Sequence, residues 1–136
     1  MGIGVIDTLN ATAPTDYPSS HPLSKTSHYW TPWSSYIHSK LEGNIDTLGN
    51  GFDLSFLYHT GTDELYRTID MSVDININDK KNEIVEIDID HLALLKDSQG
   101  NVFNIKAKPK NHKPDDIGII GQIMDNFSEA MKMNIE

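Results

Sequence analysis

Residues 64–90 read ELYRTIDMSVDININDKKNEIVEIDID, and over most of this stretch apolar and polar side chains alternate one for one. Leu65, Ile69, Met71, Val73, Ile75 and Ile77 occupy odd positions, while Tyr66, Thr68, Asp70, Ser72, Asp74 and Asn76 occupy even ones. A period of two is the signature of a strand with one face buried. Asn78–Asn82 carries no apolar residue and reads as a loop, after which Val85, Ile87 and Ile89 alternate with Glu86, Asp88 and Asp90. Two adjacent strands, 64–77 and 84–95, are therefore expected. Side-chain parity puts Asp70, Asp74, Glu86, Asp88 and Asp90 on one shared face. In one register Asp74 faces Asp88; in the other Asp70 faces Asp90 and Asp74 faces Glu86. Like charges directly opposite cost up to about 1 kcal/mol, so hydration, a basic partner or a cation has to compensate.

Outward from this pair, 52–58 and 102–108 read as two further strands, bounded by turn-rich Gly49–Gly51, His59–Asp63, Asp97–Asn101 and Pro109–Pro114. The last of these, PKNHKP, holds the densest positive charge. Thr31-Pro32 has the composition of an N-cap and first helical position, and Trp33, Tyr36, Ile37 and Leu41 follow at helical spacing, predicting a short helix over 32–42. Ile117, Ile120, Met124, Phe127 and Met131 form one stripe, predicting a C-terminal helix over 115–133 capped by Asp115 or Asp116. Gly118 and Gly121 inside it suggest a close approach to other backbone. The expected fold is α+β: a four-stranded, mainly antiparallel sheet flanked by the two helices. Residues 31–136 form its single domain. Residues 1–30, rich in Ser, Thr, Pro and Asn, read as an extended arm that must be held by its own domain or by a neighbouring chain.

The 136 residues suit one domain, and 38% hydrophobic with 23% charged residues is an ordinary globular balance despite a mean hydropathy of −0.43. A net charge of −9 argues against direct nucleic-acid binding, which draws its affinity from Lys and Arg on phosphates. The absence of Cys removes disulfides and thiolate metal sites. The opening residues lack the basic start of a secretory signal, Ile6 stands where a myristoylation signal needs Ser or Thr, and no apolar run reaches membrane-spanning length. The chain is expected to be soluble and unanchored.

Motifs for chemistry are sparse. Asp74, Asn76 and Asn78 open like a calcium loop, but Asp79 stands where Gly is needed and Val85 where Glu is needed. Histidines at 21, 28, 38, 59, 91 and 112 lack metal-ligand spacing, and His91, which continues the parity of the apolar face, is expected in the core. No nucleophile elbow or phosphate loop occurs. Tyr29, Trp30, Trp33 and Tyr36 read as packing aromatics rather than a stacking platform for a sugar or base. A non-enzymatic protein without cofactor or metal is expected.

Val5-Ile6-Asp7-Thr8-Leu9-Asn10, followed by Asp16-Tyr17-Pro18, resembles the start of many tail, baseplate and appendage proteins of tailed bacteriophages. Ser19–Ser27 departs from that pattern, and no fibre repeat follows. The resemblance implies a virion structural protein, a homo-oligomer or part of a larger assembly, whose arm docks on neighbouring subunits through Ile6, Leu9 and Tyr17. The rival expectation is a cytoplasmic acidic binding module, such as an immunity protein or inhibitor, that offers its carboxylates to a basic partner.

Overall fold

The structure, a computed structural model, describes residues 1–51, 53–70, 85–113 and 117–135. Strands β1 (Gly2–Ile3), β2 (Tyr29–Trp30), β3 (Ser35–Ile45), β4 (Leu54–Gly61), β5 (Arg67–Thr68), β6 (Val85–Ile89), β7 (Lys110–Asn111) and β8 (Met131–Ile135) are joined by helices α1 (Asp7–Asn10) and α2 (Ile117–Ala130). The class is α+β, as expected. The main sheet runs β2-β3-β4-β7, with β7 parallel to β4 and the other pairs antiparallel. Two smaller pairs, β1 with β5 and β6 with β8, complete the described strands.

The long β3–β4 hairpin is the frame. Its register runs from Ile37↔Gly61 to Ile45↔Leu54, with a bulge between Ile37 and Ser39. One face of the hairpin buries Tyr58 against Ile120, Ile123 and Met124 of α2, with Ile3, Leu65 and Ile69 closing the cluster. Polar groups on this face are matched: the Ser39 and Thr60 hydroxyls lie 2.8 Å apart, Ser39 also reaches the Met124 sulfur at 3.7 Å, and the Tyr58 hydroxyl donates to the Lys108 carbonyl at 2.7 Å. Arg67 ties β5 to α2 through a 2.7 Å contact with Asp125. Gly121 meets Leu65, whose Cδ2 would sit 3.9 Å from an added Cβ, so the helix approaches a side chain there rather than backbone.

Several expected elements differ. The helix over 32–42 is instead one turn of 3₁₀ helix, Thr31–Trp33, followed by β3. Ser34 adopts a left-handed conformation (φ 48°) that stops the turn, and the aromatic and β-branched Tyr36-Ile37 then pair as a strand. Across 64–77 the described residues form a 3₁₀ turn, Asp63–Leu65, and the two-residue β5. Residues 71–84, including Asp74 and the hairpin loop, lie outside the described residues, so the two registers are not compared. The strand expected over 84–95 ends at Ile89. There the Asp90 carboxylate accepts from the amides of Leu92 (3.0 Å) and Ala93 (3.3 Å) and turns the chain into the 3₁₀ segment Ala93–Leu95. His91 is exposed rather than buried. No strand forms at 102–108: Val102 makes a single bridge to Lys96, and the Asn104 side chain accepts from the Ala107 amide at 3.1 Å, drawing the backbone into a turn. β4 is displaced slightly from the expected 52–58. The C-terminal helix ends at Ala130 and gives way to β8, which was not expected; Asp115 and Asp116 lie outside the described residues.

The largest difference concerns residues 1–30. They are not an extended arm but a chain of short turns folded onto the body. Ile3 is part of the core, β1 pairs with β5, β2 pairs with β3, and Asn10 and Pro14 are buried. The composition misled because short polar side chains here bond to their own backbone and to one another, satisfying groups that a periodic element would satisfy by its ladder.

Candidate functional site

The buried end of α1 organises the first notable cluster. Asn10 donates from Nδ2 to Asp63 Oδ1 at 2.7 Å, and its Oδ1 accepts from the Tyr36 amide at 2.7 Å. Ser35, also buried, accepts from the Thr62 amide at 2.8 Å. These bonds hold Thr62 at φ 71°, ψ 158°, a region that essentially only glycine occupies and that costs on the order of 1–3 kcal/mol. The Thr62 hydroxyl is buried without a hydrogen-bond partner among the described residues.

His38 lies beside this strain, at the β3 bulge. Among the described residues neither of its ring nitrogens has a partner in hydrogen-bond geometry. Its ring stands edge-on to Tyr66, with centroids 6.5 Å apart, and is covered by Gly4, where φ is +112° and an added Cβ would sit 2.7 Å from the ring. Desolvation pushes the imidazole below its ordinary value of 6.5; the nearby Leu65 backbone and the Asp63 carboxylate oppose this and are outweighed. His38 is therefore neutral at neutral pH. A bulge, a disfavoured backbone and unpartnered buried polar atoms mark one corner of the fold, the combination that sequence rules handle worst at functional or strained sites. Ser35 is committed to Asn10, Thr62 and the Tyr36 carbonyl, so this corner does not present it to an imidazole base as a nucleophile.

The expected acidic surface is partly assembled. Glu86, Asp88 and Asp90 are all exposed along β6, and Ile87 between them is 43% exposed. Asp90 also caps the following turn. Asp70 is exposed after β5, and Asp74 is among the residues not described. β6 pairs with β8, which sets Asp88 opposite Lys132 and Glu86 opposite Asn134 in register; both registers anticipated for a 64–90 hairpin involve Asp74, which lies outside the described residues.

The expected docking residues divide. Ile6, at the N-cap of α1, and Leu9 within it are 43% and 42% exposed, whereas Tyr17 is half-buried, stacked on His21 at 4.4 Å and bonded to Thr12 at 2.9 Å. Of the aromatic group, Trp30 and Tyr36 are buried; Trp33 stays 39% exposed, edge-on to Trp30.

The outward face of the main sheet was missed in the sequence. Lys40 lies opposite His59 and Glu42 opposite Leu57, while Leu57 pairs with Lys110 on the far side. His59 holds Glu42 at 2.5 Å, which keeps the Glu42 carboxyl below its ordinary range, and the His112 ring is 6.2 Å from that of His59. The signal for this face lay in the charge run at 110–113, but only strand order brings β7 beside β4. Among the described residues no three His, Asp or Glu side chains converge to hold a metal ion. No helix among them is long and apolar enough to cross a membrane.

No curated protein and no solved structure gives a significant match to the chain. A protein-family model does match. It spans residues 1–113, which takes in β1 to β7 and the whole His38 corner and stops short of α2. By that match over most of its length, the chain belongs to the MbnP family.

Proposed function

We propose that this MbnP-family domain is a non-enzymatic binding module that recognises a basic protein partner along β6. The observation that supports this is the exposure of Glu86, Asp88 and Asp90, which strand parity places on one shared face, on a chain of net charge −9. Complementary charge of this kind steers association and sets its salt dependence. A decalysine peptide serves as the test partner. Its binding, followed by calorimetry, should be lost in Glu86→Gln/Asp88→Asn/Asp90→Asn and should weaken steeply as salt is raised and the Debye length falls towards about 8 Å. Unchanged affinity in the triple variant would refute the reading.

A second reading, assembly with another copy of the chain, draws on Ile6 and Leu9, which α1 leaves exposed three residues apart. It predicts a native mass by light scattering above the 15.3 kDa of one chain, and a monomer in concentrated solution would remove it. Neither the family match nor the fold adds to the appendage resemblance of residues 5–18, and the virion setting rests on that resemblance alone.

A further inference from the structure

We propose that the cavity lined by Lys110, Asn111, His112 and Lys113, at the β7 edge of the main sheet, binds a small tetrahedral oxyanion of the phosphate class. The cavity measures about 140 Å³, several times the roughly 30 Å³ that one water occupies in the liquid. That is room for a compact ion and too little for a folded partner.

Its walls run against the charge of the molecule. The chain carries 20 acidic and 11 basic residues, yet Lys106, Lys108, Lys110 and Lys113 fall within eight positions of one another. Lys110, Lys113 and the His112 imidazole contribute directly to the cavity. The adjoining strand β4 carries no carboxylate, and Glu42, one strand further on β3, is engaged by His59 at 2.5 Å.

The backbone beneath is fixed rather than loose. Leu57 donates to the Pro109 carbonyl at 2.9 Å, Tyr58 donates to the Lys108 carbonyl at 2.7 Å, β7 is in register with β4, and Asn111 is buried at 5% exposure. Cationic side chains thus leave an anchored strand around a preformed hollow, which lowers the ordering cost of capturing an anion. Lysine suits this role as a point-charge phosphate binder.

The test is an amide-resolved NMR titration of the full chain with sodium phosphate at constant ionic strength, with sodium chloride as the control. The amides of residues 110–113 should shift and saturate with phosphate and not with chloride. Lys110→Gln/Lys113→Gln should weaken binding tenfold or more, while Lys96→Gln, which lines a different hollow beside α2, should leave it unchanged. These side chains are at the surface, and the spectrum itself reports whether the variant is folded. A phosphoserine peptide in place of phosphate separates the sources: tighter saturation by the peptide identifies a phosphorylated chain as the ligand, and weaker saturation a free anion. Shifts that rise without saturating, that chloride reproduces, or that the double variant retains would overturn the proposal.

Discussion

At the scale of single residues, Asn10 has the heaviest structural role in the N-terminal segment. Replacing it with Ala leaves the Tyr36 amide and the Asp63 carboxylate without the partners they have at 2.7 Å. The Tyr36 amide is buried whereas Asp63 is exposed to water, and one abandoned buried donor costs about 1–3 kcal/mol, so Asn10→Ala should lower the unfolding free energy in urea by about 1–3 kcal/mol. A change no larger than a typical surface substitution, about 0.5 kcal/mol, would mean that the cluster is not closed as described. His38 gives a pH signature. Its folded value lies below the ordinary 6.5, so below 6.5 the unfolded chain binds more protons than the folded one, and stability falls as pH drops until the depressed value is passed. Above 6.5 this contribution is fully present. Urea unfolding from neutral pH down to about pH 5 should show the decline, and His38→Gln should flatten it. Asp46, Asp53 and Asp97, held below 3.8 by hydrogen bonds from Thr47 or from loop amides, act in a separate and more acid window. An equal slope in the variant would assign the effect to other groups.

At the scale of elements, the β3–β4 hairpin sets what the sequence could and could not reveal. An added Cβ at Gly61 would fall 2.7 Å from both the Trp30 ring and the Tyr36 carbonyl oxygen, and the second of these is backbone that cannot swing aside. Gly61→Ala should therefore force β2 and β3 off β4, lowering the thermal midpoint by several degrees and shifting the Trp30 fluorescence. Unchanged melting would show that the hairpin has slack there. The β6 alternation was legible because it has no interruption, and α2 because its stripe Ile120, Met124, Phe127 keeps one period. β3 was not legible. Its bulge inserts a residue between Ile37 and Ser39 and breaks period two within the strand, leaving apolar positions at spacings that imitate a helix. β8 was hidden for another reason: Met131 continues the helical stripe, no Gly or Pro marks the end, and only pairing with β6 fixes the strand.

At the scale of the whole molecule, the α+β class could be read from pattern, whereas the candidate sites depend on contacts between distant parts of the chain. Glu86, Asp88 and Asp90 were identified by parity alone. The His38 corner joins α1, β3, Asp63 and Gly4, and the basic edge joins β4 to β7; neither is visible without topology. The family match ends at Lys113, yet the core it spans is closed by α2, so the matched region and the last helix share one core. The placement of residues 1–30 against that core is the claim on which the rest turns. It supplies Ile3 to the core and Gly4 to His38, and it removes the reason to expect an arm lying along a neighbour. Deleting residues 2–28 and recording the thermal melt by circular dichroism tests it directly. The cooperative transition should be lost, and a truncated chain that still melts sharply near the full-length midpoint would contradict the packing of residues 1–30 into the core.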